Sequence, residues 1–285
     1  MTQSELGWQS KLVLLVVLPV VGTDVVLETN FWAGQDRTVV LWTLGLSALL
    51  GLVTWKLRAA TAQAAATGAA ITANLMFSTV TFPYDPWHTA MVPVLAVSLL
   101  AYAATRIGRA KKEQLGTAEA RKGRSAAQVA ANLGVAALVA SDVAQMWMAE
   151  RHGIAHAAVP LFAAGLAAMA EAAADTVSSE TGQVFGGRPR MITTLRAVDP
   201  GTDGAVSVAG TLAGIVAAAV VAGLGTWALR GDGRQLLVAA TGGVFGLFFD
   251  SLLGATLEAR GWLNNDAVNF LSTASAAGFA MAVIR

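Results

Sequence analysis

Acidic side chains in the C-terminal part of the chain lie at spacings that could bind a metal ion. Glu171, Asp175 and Ser179 are four residues apart, so a helix would place them on one face. Two like charges at that spacing destabilise a helix unless a cation or a proton lies between them. Because Mg²⁺ is commonly held by one or two carboxylates and by substrate phosphates, the spacing predicts a magnesium site. A solvated helix end near the membrane surface is the alternative.

The glycine-rich stretch that follows could bind phosphate. Gly201 and Gly204 allow positive φ angles, and successive backbone N–H groups in such turns form anion-binding concavities. Ser207 then begins a helix, whose N-terminus favours a phosphate group. Neither a Walker A pattern nor GxGxxG occurs, so this is not a P-loop or a Rossmann fingerprint. An ordinary turn with snorkelling arginines is the alternative. The candidate nucleotide-binding residues are Arg188, Arg190, Thr193, Gly201, Thr202, Asp203, Gly204 and Ser207.

Two further groups of polar side chains enter predicted helices, and Asp250 lies inside a third. The groups are Arg121, Arg124, Gln128 and Asn132, and then Asn264, Asn265, Asp266 and Asn269. The first group follows one helical face, which an interfacial anchor and a helix–helix hydrogen bond would also explain. The second group lies at a helix start, where capping needs only one of its members. The other members of the second group need a different partner.

The elements that carry these residues are membrane helices. Hydrophobic residues make up 55% of the chain and charged residues 13%. Segments of about 20 apolar residues, enough to cross a bilayer, occur near 11–28, 38–57, 65–82, 90–107, 125–149, 153–174, 205–229, 235–257 and 266–284. We therefore predict an all-α, polytopic transmembrane helix bundle of about nine spans. Carboxylates are costly inside a membrane, so those of the C-terminal part indicate a functional site.

Charge and composition set the orientation and exclude several functions. With nine spans, 14 of the 19 Lys and Arg residues fall on one side, which predicts a cytoplasmic N-terminus. The 175–204 and 258–266 loops then face the cytoplasm. The chain has no cysteine, which excludes disulfides and thiolate chemistry, and its net charge of +1 gives no support for nucleic-acid binding.

We expect a single membrane domain over residues 1–285. It would comprise hydrophobic spans (1–110), a basic cytoplasmic connector (111–124) and the spans and loops of the chemistry (125–285). Gly210 and Gly214, like Gly242 and Gly246, have the spacing that lets membrane helices pack closely. Asp24 and Asp142 lie inside predicted spans without an identifiable partner. His152 and His156 have metal-ligand spacing but lack a third ligand.

Two long runs resemble a known family. They are EAAADTVSSETGQVFGGRPRMITTLRAVDPGTDGAVSVAGTLAG and FFDSLLGATLEARGWLNNDAVNF, and RKGRSAAQVAAN precedes the fifth span. They resemble the integral-membrane family of transmembrane protein nineteen and the chloroplast phytyl-phosphate kinase, across most of residues 121–285. This family is distantly similar to the phytol and dolichol kinases, which use CTP. The resemblance implies phosphoryl transfer to an isoprenyl monophosphate, with Glu171, Asp175 and Glu180 in the acidic motif and 201–207 in the glycine-rich one.

The resulting hypothesis is a magnesium- and CTP-dependent isoprenyl-phosphate kinase of the cell membrane. Asp175, Glu171 and Asp250 would be catalytic, with Glu171, Asp175 and Glu180 as metal ligands. The acceptor lipid phosphate would bind Arg124, Gln128, Asn132, Asn264, Asn265, Asp266 and Asn269. A lipid-phosphate transporter or flippase is the alternative, because polar helix breaks are transporter devices too. A non-catalytic scaffold would leave the acidic residues without a role. Prenyl chain length, nucleotide preference, the choice between an alcohol and a monophosphate acceptor, and oligomeric state stay open.

Overall fold

A computed structural model describes residues 7–118, 123–152 and 154–284, and these are almost entirely helical. The helices are α1 (Trp8–Gln35), α2 (Arg37–Lys56), α3 (Ala62–Phe77), α4 (Met91–Arg106), α5 (Arg109–Leu115), α6 (Ala126–Ala140), α7 (Asp142–His152), α8 (Ile154–Phe185), α9 (Val208–Ala228), α10 (Gly233–Leu253) and α11 (Asn265–Val283). A 3-10 turn (Pro86–His88), a π-helical turn (Gly254–Glu258) and an antiparallel ribbon of β1 (Arg190–Met191) and β2 (Ala205–Val206) complete the described elements. The predicted all-α class is confirmed.

Several helices are suited to crossing a membrane. In the described part of the chain, α1, α2, α9 and the continuous stretch Gly233–Glu258 are long and apolar enough to do so. Two bent pairs raise the number to six if each pair is one span: α4 with α5, bent by 66°, and α6 with α7, bent by 45°. Nine crossings and a cytoplasmic N-terminus therefore remain predictions.

The loop predicted over 175–204 begins later than expected. The helix α8, which carries the predicted sixth span, continues to Phe185. The extension carries polar residues, yet it stays helical because it packs on the start of α9. There, a Cβ atom added at Gly210 would lie 2.6 Å from the Ser178 carbonyl oxygen. Asp175 and Glu180 are therefore helical residues, and the connecting loop begins after Phe185.

The alanine-rich helix α8 lies at the centre of the bundle and contacts α4, α6, α9, α10 and α11. Its neighbours approach it through their glycines. A Cβ added at Gly214 would lie 2.9 Å from the Ala174 carbonyl oxygen, and one at Gly242 would lie 2.9 Å from the Ala167 Cβ. The close packing predicted from the glycine spacing is confirmed, and it fixes the positions of the polar residues on α8.

The buried Asp24 links three helices. Its Oδ2 accepts hydrogen bonds from Asn74 Nδ2 of α3 at 3.1 Å and from the Asp142 backbone N–H at 3.2 Å. Asp142 is the first residue of α7, where backbone N–H groups lack helical partners and attract negative charge. Asp24 thus stabilises the start of α7, a role that explains why this aspartate is buried in the bundle.

The starts of α1, α3, α6 and α11 and the end of α8 lie at one end of the bundle, which we call the charged end. The backbone N–H of Thr61, just before α3, donates to the Arg124 carbonyl oxygen just before α6. Ser10 near the start of α1 bonds Asp266 of α11. The end of α8 meets the segment that follows α4 through Lys112 and Glu180. Residues far apart in sequence therefore meet at this end.

Candidate functional site

The three carboxyl groups predicted to be catalytic converge between α8, α10 and α11. Glu171 is 1% exposed, and Asp175 lies one turn further along α8. The carboxyl groups of Asp175 and Asp250 lie close to each other and line the same cavity, and Ser272 of α11 lies beside Glu171 and Asp250. Carboxylates this close need a proton or a cation between them. Gly246 makes the arrangement possible, because a Cβ there would overlap the Glu171 Cγ.

Three oxygen atoms at this cluster have no hydrogen-bond partner although they are buried. They are Glu171 Oε1, Asp250 Oδ2 and Asn269 Oδ1. Burying an oxygen without a donor costs about 1–3 kcal/mol, and carboxylate and amide oxygens are suitable magnesium ligands. Among the described residues, however, no group of three Asp, Glu, His or Cys side chains could hold a metal ion. The residues fit Mg²⁺ only as one or two ligands, with the remaining ligands supplied from outside the protein.

Glu180 lines a small cavity together with Asp175, but it is paired with a buried lysine. Its Oε2 accepts from Lys112 Nζ at 2.5 Å. Lys112 is itself 1% exposed and also donates to the Ala104 and Thr105 carbonyl oxygens. A carboxylate that neutralises a buried ammonium is poorly placed to bind a metal as well. The pair gives Glu180 a structural role, and its role as a metal ligand stays a prediction.

An acidic cavity of about 330 Å³ opens beside the carboxyl cluster. Four carboxylates line it, and no Lys or Arg of the described part of the chain does; the carboxylates are Asp175, Asp203, Asp250 and Glu258. Asn265 lines the same cavity, as do Gly201, Thr202, Gly204 and Ser207 of the glycine-rich loop. The convergence expected from the sequence is therefore present. A cavity with this charge attracts cations, so a phosphate group would enter it only together with one.

Local structure places the loop against the π-helical turn. The β1–β2 ribbon pairs Arg190 with Val206, and Ser207 Oγ accepts from the Gly210 N–H at 3.1 Å, which caps α9. Gly204 adopts φ +73°, and a Cβ there would overlap the backbone of Ala255. Since π-helical turns are frequent at functional sites, this close contact between loop and turn marks the wall of the cavity.

Arg188, Arg190 and Thr193 do not line the acidic cavity. All three are exposed. The Arg190 guanidinium donates to the Leu195 carbonyl oxygen at 2.8 Å, across the tight turn that follows β1. The positions of Arg188 and Arg190 therefore do not support the predicted contact of these two side chains with a nucleotide phosphate in this cavity.

A smaller polar cavity of about 130 Å³, the amide pocket, adjoins the acidic one. Five of the seven predicted acceptor-binding residues line it: Arg124, Gln128, Asn132, Asn265 and Asn269. Arg124 donates to Thr176 Oγ1 at 3.3 Å and lies beside Asp175. Asp175 and Asn265 line both cavities. A group bound in one cavity is therefore next to a group bound in the other.

The two remaining acceptor candidates hold helices together instead. Asp266 Oδ2 accepts from Ser10 Oγ at 2.6 Å, and Asn264 Nδ2 donates to Ser10 Oγ at 3.0 Å. Asn264 also caps α11 by accepting from the Ala267 N–H. These side chains attach α1 to the start of α11, so their prediction as phosphate-binding residues is not supported by the geometry.

Sequence reasoning missed two residues, Ser272 at the carboxyl cluster and Lys112, the partner of Glu180. Ser272 follows Asn265 and Asn269 at helical spacing, so the face of α11 could have identified it. Lys112 lies in a basic run beside Lys111, and nothing in the sequence separates the buried lysine from the exposed one. The side chains of Arg121, His152 and His156, also considered as candidates, lie outside the described part of the chain.

Comparison with known proteins places this chain in a family. A family model described as "Integral membrane protein DUF92" matches residues 45–277. The chain is 44% identical over 108 residues to an uncharacterized membrane protein of Methanocaldococcus jannaschii, covering 38% of this chain and 45% of that protein. It is 34% identical over 205 residues to an uncharacterized membrane protein of Synechocystis, covering 69% and 74%.

A plant protein is also similar. The chain is 31% identical over 183 residues to Protein VTE6, chloroplastic, of Arabidopsis thaliana, covering 63% of this chain and 54% of that protein. The matches thus span about half the length of the archaeal and plant relatives. No solved structure matches the chain.

Proposed function

Since the chain belongs to the integral membrane family DUF92, we propose that it is a membrane kinase for an isoprenyl monophosphate. It transfers a phosphoryl group from a nucleoside triphosphate, CTP, to the lipid phosphate and forms the diphosphate. The observation that carries this proposal is the junction of the acidic cavity with the amide pocket at Asp175 and Asn265. The resemblance of residues 121–285 to the phytyl-phosphate kinase family supports the choice of reaction.

The acidic cavity is assigned to the nucleotide. The glycine-rich loop and the N-terminus of α9 offer backbone N–H groups to the phosphates. The carboxylates of the cavity would repel a triphosphate that carries no metal ion. Magnesium, when bound, would neutralise charge on the donor phosphates. Asp175 and Asp250 would hold it, because they lie together at the cavity wall and Asp250 keeps a free buried oxygen. Because the described residues of the lining include four carboxylates and no basic side chain, the proposal requires this cation.

The amide pocket is assigned to the acceptor phosphate. Arg124 can neutralise it, and Asn132, Asn265 and Asn269 can donate amide hydrogen bonds to it. An oxygen of this phosphate attacks the terminal phosphorus of the nucleotide, the bond from that phosphorus to the bridging oxygen breaks, and the nucleoside diphosphate leaves. The attacking oxygen is already ionised at neutral pH, so no general base is required, and the reaction depends on positioning and on charge neutralisation.

The proposal includes the membrane arrangement. Nine crossings would place the charged end, with both cavities, at the cytoplasmic face of the cell membrane, where nucleotides are available. The acceptor phosphate would lie at the interface, with its isoprenoid tail in the bilayer region.

A kinase assay with one charge removed tests the function. The protein in lipid nanodiscs is given phytyl monophosphate, CTP and Mg²⁺, and the diphosphate is measured by mass spectrometry. We expect Asp175→Asn to lower turnover by on the order of 100-fold, as for removal of a single electrostatic stabiliser of a transition state. Asp232→Asn is the matched control: Asp232 is an exposed N-cap of α10, and asparagine caps equally well. Near-normal turnover of the Asp175 variant would discard the assigned role.

A further inference from the structure

An apolar cavity of about 390 Å³ lies between α2, α3, α4 and α6. Its walls are small or aliphatic side chains, among them Ala64, Ala65, Gly68, Val94, Val97 and Leu133. The volume is near the lower end of the range for small-molecule sites. Such a cavity suits one flexible hydrocarbon chain better than the two acyl chains of a phospholipid.

The mouth of this cavity is basic. Arg58, Arg106, Arg109 and Arg124 line it at the charged end, together with one carboxylate, Glu113, which pairs with Arg109 at 3.1 Å. Arg106 is held in place there, since its guanidinium donates to the Leu57 carbonyl oxygen at 3.0 Å and lies 4.7 Å from the centre of the Tyr102 ring. Arginine side chains recognise phosphate groups well. The basic mouth and the apolar interior together suit a molecule that has an anionic head and a single apolar tail.

The apolar cavity continues into the site already described. Arg124 and Asn132 line both this cavity and the amide pocket, and Asp175 lies beside Arg124 in that pocket. A phosphate bound at Arg124 would therefore have its tail in the apolar cavity and its reacting oxygen toward the acidic cavity.

We propose that this cavity binds the tail of the acceptor and limits its length, an inference that rests on the proposed kinase function. On α4 the lining runs from Arg106 at the mouth to Val94, a depth of about 18 Å at 1.5 Å per residue. Thr72, Val94 and Val97 are buried and close the inner end. The cavity thus discriminates between prenyl chains by depth, while Arg124 positions the phosphate.

Gly68 offers a way to change the depth. A Cβ added there would meet nothing closer than Val129 Cγ1, at 3.7 Å, which is ordinary contact. Alanine therefore fits, and it favours the helix over glycine. The larger side chain of leucine would extend among the residues that line the cavity. Gly68→Leu is the test variant, and Gly68→Ala is its matched control.

Photo-crosslinking locates the tail without requiring turnover. The probe is geranylgeranyl monophosphate with a diazirine at the end of its tail, added to wild-type protein in nanodiscs without nucleotide. We expect label on peptides that contain Thr72, Val94 or Val97, competed by unmodified geranylgeranyl monophosphate and reduced about tenfold by Gly68→Leu, in line with the loss from crowding an apolar pocket. Label confined to lipid-facing surfaces, or label that is not competed, would overturn the inference.

Chain-length selectivity gives a second readout. We expect Gly68→Leu to lower kcat/KM for geranylgeranyl monophosphate about tenfold relative to geranyl monophosphate, while Gly68→Ala keeps the wild-type ratio. An equal loss for both acceptors would contradict a tail-binding role.

The two experiments together distinguish failure of the kinase proposal from failure of the tail-binding proposal. Competed label in the cavity without turnover of any acceptor would reject the kinase and retain the cavity, and turnover with label elsewhere would do the reverse.

Discussion

The buried ion pair between Lys112 and Glu180 should be a determinant of stability. Lys112 has 1% of its side chain exposed and Glu180 12%, and the ammonium donates to three oxygen atoms. Removing one partner of a buried pair leaves an uncompensated charge, which costs about 3–5 kcal/mol. We therefore expect Lys112→Met to lower the free energy of unfolding by about that amount. Glu180→Gln keeps an acceptor oxygen, so its cost should be nearer 2 kcal/mol.

A denaturant titration of the purified protein in detergent measures these values. Lys111→Met is the matched control, because Lys111 is exposed and its ammonium donates to a single oxygen, that of the Val184 carbonyl. We expect it to cost about 1 kcal/mol or less. Combining Lys112→Met with Glu180→Met should recover a large part of the single-variant loss, with a coupling energy of about 1–3 kcal/mol.

The same variants decide between two roles of Glu180. If the carboxylate only neutralises Lys112, Glu180→Gln changes stability and leaves the dependence of activity on Mg²⁺ concentration unchanged. A stability loss below about 1 kcal/mol for Lys112→Met, or a Glu180→Gln variant that needs far more Mg²⁺ at normal stability, would refute the reasoning.

Two further predictions concern helix packing and ligand binding. Gly246→Ala places a methyl group against the Glu171 side chain, so it should lower the free energy of unfolding by about 1–3 kcal/mol and reduce turnover. Gly223→Ala, in α9 with nothing near the added methyl, should be neutral or slightly stabilising in the same thermal melts, and equal effects of the two variants would contradict the packing argument. For ligands, CTP with Mg²⁺ at a hundred times its Kd should stabilise the protein by about 2.7 kcal/mol, and chelating Mg²⁺ should abolish the shift. A transporter should respond to isoprenyl phosphate alone, so absence of any nucleotide shift would favour that alternative.

The local sequence pattern was enough to predict the all-α class of the protein and part of the candidate site. Apolar segments predict membrane helices, because in lipid each segment must satisfy the hydrogen bonds of its own backbone N–H and C=O groups. The spacing of Glu171 and Asp175 places them on one face of α8, and the spacing of Gly242 and Gly246 predicts a close neighbour. These inferences depend on helix geometry alone, so they need no knowledge of which helix lies opposite.

Tertiary structure decided which groups face one another. Lys112 meets Glu180 across 68 residues of sequence, and Ser10 meets Asp266 across 256. These contacts give a predicted metal ligand and a predicted phosphate ligand structural partners that the sequence did not indicate. The apolar cavity is likewise invisible in the sequence, because its walls come from several helices and most of its lining residues are ordinary membrane-helix side chains. Helical periodicity specifies a face, whereas the partner of that face depends on how all the helices pack together.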